Sequence, residues 1–111
     1  MSYDTIVLTA ERPEVEAALR EMSGRPIQVR AQASGLHVHD ERARLLVAIG
    51  EPLEVRVPGE VERLLATPVD LPVWWLELRA AAEPEEAVML AEVLAGELVR
   101  RHGGHVWAGA R

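Results

Sequence analysis

The chain contains no cysteine, no lysine, no asparagine and no phenylalanine among its 111 residues. Without cysteine there are no disulfides, no thiol catalysis and no thiolate metal sites. Lys, Asn and Phe share A/T-rich codons. A GC-rich coding sequence therefore accounts for their loss, and for a set of twelve basic residues made only of arginine. Nucleophiles are scarce. Ser2, Ser23 and Ser34 are the only serines, and none stands in a G-x-S-x-G or S-x-x-K pattern. Neither "SGRP" nor "VPGEVE" matches a phosphate-cradling glycine loop. These absences point away from an enzyme, and no cofactor is expected. No apolar run approaches the ~20 residues that span a bilayer. The stretch "MSYDTIVLTAERP" has neither the basic start nor the cleavage-like site of a signal peptide, so a cytoplasmic location is expected.

The residues present suit one globular domain over 1–111, with 49% hydrophobic and 27% charged residues. The net charge of −6 disfavours nucleic acid and anionic membranes as partners. It favours a basic protein.

Periodicity gives the elements. "YDTIVLT" is a continuous β-branched run, a buried strand. In "ERPEVEAALREMSG", Val15, Ala18, Leu19 and Met22 share one helical face. "PIQVRAQA" and "LHVHD" alternate, and Ser34-Gly35 is expected as the two-residue hairpin loop between them. "ARLLVAIG" is apolar on both faces and reads as a central strand; "PLEVRV" alternates again. "PGEVERLLA" reads as a short helix and "PVWWLELRA" as a strand. "EPEEAVMLAEVLAGELVRRHGG" is the longest helix, with Ala87, Ala91, Leu94, Ala95 and Leu98 as its core stripe, and "HVWAG" is a final strand. The order β-α-β-β-β-β-α-β-α-β predicts an α+β fold. Its sheet is antiparallel-rich and mixed, with two or three helices packed on one face. The expected core is Ile6, Leu8, Leu19, Val29, Val38, Val47, Leu64, Trp74, Leu76, Leu94 and Leu98.

Four histidines invite a metal reading. His37 and His39 share one strand face, with Asp40 adjacent and His102 and His105 further along. The expected hairpin register sets Gln32 opposite His37 and Arg30 opposite His39, and a cation beside the pair disfavours a bound dication. His102 lies in a last helical turn, where a cation complements the helix dipole.

The tryptophans carry the recognition reading. Strand parity separates Trp74, with Leu76 and Leu78, from Trp75, with Glu77 and Arg79. Trp74 is expected in the core. Trp75 is expected as an interface anchor, or else covered by a loop or by the segment around Trp107. On the last helix, Met89 and Val93 fall opposite the core stripe with Gly96 beside them, a contact patch for a homodimer or another protein. Glu51, Glu54, Glu60 and Glu62 cluster around the short helix as a candidate acidic surface.

Three consecutive elements, "VWWLELRA", "EPEEAVMLAEVLAGELVRRH" and "GGHVWA", make the C-terminal third resemble small actinobacterial proteins. That group includes immunity-type partners of polymorphic toxins. The resemblance implies a binding protein and assigns no site residues. The expected function is therefore a small acidic protein-binding module, most concretely an immunity protein or inhibitor of a basic toxin. The alternative is a dimeric α+β module that binds a small ligand or regulates.

Overall fold

The computed structural model describes residues 2–22, 26–65 and 70–108. Its elements are β1 (Ser2–Thr9), α1 (Val15–Glu21), β2 (Ile27–Gln32), β3 (Gly35–Asp40), β4 (Leu45–Gly50), β5 (Leu53–Val55), α2 (Glu60–Leu65), β6 (Val73–Ala81), α3 (Glu85–His102) and β7 (Gly104–Ala108). This is the element order that periodicity predicts. The seven strands form one sheet in the order β2-β3-β4-β6-β1-β7, with β5 also paired to β6. The sheet is not mixed: every ladder among the described residues is antiparallel.

The two strands on one flank of β6 are a single path broken in the middle. Val47–Ile49 lie opposite Ala80–Leu78, and Leu53–Val55 lie opposite Trp75–Val73. Pro52 has no N–H to give a ladder, so pairing stops at Glu51–Pro52 and resumes at Leu53.

Strand parity divides the sheet into two faces. One carries Val7, Val38, Val47, Ile49, Leu76, Leu78 and Ala80, packed against Val15, Ala18 and Leu19 of α1 and the Ala87–Leu98 stripe of α3. Alanines at 87, 91 and 95 let α3 lie close enough to touch β1, β4, β6 and β7. The second face has a smaller cluster. Leu8, Val61 and Val73 are buried there, with Ile6, Val55, Leu71, Trp75 and Trp107 against them. Val61 comes from α2, so two helices cover the first face as expected, while α2 covers part of the other. Six residues are too few for a self-supporting helix in water. The fully buried Val61 is what docks α2.

Four expectations about the strands need correction. The hairpin turn is Ala33–Ser34, with Gln32 opposite Gly35. Arg30 therefore faces His37, and Gln28 faces His39. The cause lies at Gly35, whose φ is +145° and where a Cβ would stand 1.9 Å from the Ile49 carbonyl oxygen. That glycine belongs inside the ladder, against β4, and not in the turn. Secondly, Val29 is 39% exposed, because β2 is an edge strand with a neighbour on one side only. Thirdly, Trp74 does share its face with Leu76 but is only half-buried, beneath the Arg12 guanidinium 5.2 Å from its ring centroid. Lastly, Ile6 and Leu8 belong to the second cluster, with Ile6 half-buried. The side chain of Leu64 lies outside the described residues.

A bulge explains why "ARLLVAIG" reads as apolar on both faces. Val38 pairs with Val47 but His39 with Leu45, so Leu46 is the extra residue. Leu46 and Val47 are consecutive and both buried in the main core, while Leu45 is exposed. Among the described residues no helix is long and apolar enough to cross a membrane.

Candidate functional site

Beyond the reach of α2, the second face of the sheet has no helix packed on it among the described residues. Two rows of side chains cross it. Arg30, His37, Ala48, Arg79 and Asp4 follow one another from β2 to β1. The next row holds Gln32, Gly35 and Gly50, then Glu77, Ile6 and Trp107. Gly50 and Glu77 join the halves of this row. A Cβ on Gly50 would lie 3.7 Å from the Glu77 carbonyl oxygen and 3.9 Å from its Cβ.

Two side chains are thus missing side by side in the middle of a row whose flanks are long. The result is a concavity of about 490 Å³, within the usual range of small-ligand clefts. Gly35 and Gly50 form its floor, and Gln32, His37, Glu77, Arg79 and Trp107 stand around it. The two glycines differ in kind. Gly35 is required by the backbone of β4, whereas a Cβ on Gly50 meets only ordinary van der Waals contacts. The hollow at Gly50 is therefore not needed for folding.

The polar groups of the rim are oriented before anything binds. Trp75 Nε1 donates to Glu77 Oε2 at 3.0 Å, two residues apart on one face of β6. Arg79 Nε donates to Asp4 Oδ1 at 3.2 Å across the β6–β1 ladder. The rings of His37 and His39 stand 6.1 Å apart at 59°. Nδ1 of His39 is buried with no hydrogen-bond partner among the described residues. No group of three or more His, Asp or Glu side chains among the described residues is placed to hold a metal ion. Arg30 stands opposite His37 in the ladder, and its guanidinium donates to Gln28 Oε1 at 3.1 Å.

The sequence-derived residues separate into three places. Trp75, Glu77 and Arg79 come together on the uncovered face, with Trp75 partly covered by the α2 cluster. Met89 and Val93 are exposed on α3, on the other side of the sheet. The four glutamates of the expected acidic surface are held by different contacts. Glu54 pairs with Trp74, on the face away from Trp75, and its carboxylate meets Arg56 at 3.0 Å. Glu60 is bridged by Arg63. Glu62 is half-buried, with Oε1 unpartnered among the described residues. Glu51 is exposed and its backbone N–H bonds to the Ser34 carbonyl.

Trp107, Gly35 and Gly50 were not legible as site residues. Trp107 carries a usable signal: in "HVWA" it shares parity with His105, opposite Val106. It becomes part of the site only because β7 pairs with β1 and sets it opposite Ile6.

His102 has a different role from dipole complementation. It is buried, and its Nε2 accepts the backbone N–H of Glu14 at 3.1 Å. Nε2 is therefore unprotonated, and Nδ1–H donates to Glu11 Oε1 at 3.2 Å. Glu14 is the N-cap residue of α1 and makes no side-chain cap of its own. An imidazole from the end of α3 supplies the missing acceptor at the helix entrance. No family model, curated protein or solved structure matches this chain.

Proposed function

We propose that the protein is a protein-binding module whose docking surface is the uncovered part of the second sheet face. The partner expected is a basic protein, most concretely a toxin that this chain neutralises. The single observation carrying the reading is that, among the described residues, no helix covers this area of the antiparallel sheet, which presents an indented, preoriented rim. Indoles with a polar tip and an apolar body, here Trp107 at the edge of the hollow and Trp75 bonded to the rim residue Glu77, are the residue type that anchors interfaces. The net charge of −6 supports the sign of the partner through long-range steering. Locally the face is mixed, with Asp4 and Glu77 beside Arg30 and Arg79. Specificity would then come from shape and hydrogen bonds, and attraction from the whole molecule. In this reading the protein acts by binding and not by catalysis, in the cytoplasm, without a cofactor.

The concavity itself favours a second reading, a small-ligand or regulatory module. Its volume and its glycine floor fit a compact planar molecule. Tagged wild-type protein and Trp107→Ala, used in parallel as baits in lysate of the source organism, separate the two. One stoichiometric basic protein, retained by wild type, lost by Trp107→Ala and released by salt, supports the first reading. A co-purifying metabolite with no protein supports the second. Equal retention of every species by both baits contradicts both.

A further inference from the structure

We propose that α3 is a self-association surface, on which two copies pack antiparallel along the line Met89, Val93, Gly96 and Arg100. These positions follow the 4-3-4 spacing of one helical stripe. It is the stripe opposite the buried one: Met89 is 45% and Val93 53% exposed. Gly96 is the second observation. A glycine inside a helix costs stability relative to alanine. Among the described residues nothing lies within 4 Å of where its Cβ would be. Within the monomer, no packing reason requires this glycine. Its absent side chain instead leaves a hole on the exposed ridge, where the backbone of another helix can come close.

Charge selects the occupant. Glu85, Glu86 and Glu92 lie toward the N-terminal end of α3 and Arg100 in its last turn, while Arg101 is largely covered and held by Glu97 and by Glu21 of α1. Arg100 is bound to Glu97, yet its side chain remains 67% exposed. An antiparallel second copy brings the acidic end of each helix to the exposed Arg100 of the other. The opposed helix dipoles add to this. Val93 of each copy then sits over Gly96 of the other, and Met89 lies along the stem of Arg100. A basic helix from another protein would meet the exposed Arg100 unfavourably at one end, whereas an antiparallel second copy sets Arg100 of each helix toward the acidic end of the other. Because α3 lies on the covered side of the sheet, such a dimer turns both uncovered faces outward. The two surfaces can therefore be occupied independently.

Sedimentation equilibrium tests it, with the protein examined up to about 1 mM, where weak specific association is populated. The mass should rise with concentration from 12.2 kDa toward twice that value. Gly96→Leu, whose side chain meets nothing in the monomer, should stay monomeric with unchanged far-UV circular dichroism, and so should Val93→Glu. Trp107→Ala, on the opposite side of the sheet, should associate like wild type. A wild-type mass that stays at 12.2 kDa throughout overturns the proposal. So does undiminished association of Gly96→Leu, or loss of association in Trp107→Ala.

Discussion

Trp75 and Glu77 are held to each other on one face of β6 by a 3.0 Å hydrogen bond from the indole N–H to the carboxylate. The indole body meanwhile packs beside Leu8, Val61 and Val73. Trp75 therefore serves folding, and in the proposed reading recognition as well, whereas strand parity alone assigns it to recognition. Trp75→Ala should cost about 2 kcal/mol of stability, part of the penalty for a fully buried indole. Trp75→Phe keeps the packing and removes the donor, and should cost less than about 1 kcal/mol. Urea denaturation of both variants checks this. A silent Trp75→Ala would place the indole in solvent.

His102 holds the entrance of α1 through the Glu14 N–H. His102→Leu keeps the volume but leaves that donor without its acceptor, an expected loss of about 1–3 kcal/mol. Hydrogen exchange should show faster opening of α1 while β1 and β6 stay protected. Unchanged exchange in α1 would mean that the imidazole does not hold the helix.

Glu97 receives hydrogen bonds from Arg100 and Arg101, which lower its pKa from the ordinary 4.5 to about 2. Its folded pKa is thus below its unfolded one. The stabilisation is fully present above the unfolded value and is lost as pH falls from 4.5 toward 2. Glu97→Gln should flatten the acid limb of the stability curve across that interval, as followed by thermal melts at stepped pH. An acid limb identical to wild type would mean that the pairs are solvent-screened to nothing.

Much of the fold is legible in the sequence because burial dictates it. The stripe of α3 and the alternation of β3 and β6 each follow from one apolar face. What is not legible depends on contacts between distant segments. Gly35 looks like a turn glycine until β4 is placed against it. "ARLLVAIG" reads as a strand apolar on both faces because a bulge sends Leu46 and Val47 to the same side. The buried His102 makes sense only once α1 is brought to the end of α3. The candidate site is half legible for the same reason. Trp75, Glu77 and Arg79 share one strand and can be grouped by parity. Asp4, Gly50 and Trp107 reach them through three separate ladders.

The central claim is that the hollow over Gly50 is a binding surface. Gly50→Leu fills it, and the fold has room for the Cβ. The decisive measurement is parallel capture on wild-type and Gly50→Leu baits from the same native lysate, with melting temperatures recorded for both. A stoichiometric basic partner is expected on wild type, with at least about a tenfold loss on Gly50→Leu, roughly 1.4 kcal/mol of binding, at an unchanged melting temperature. Equal capture of that partner by a folded Gly50→Leu would contradict it.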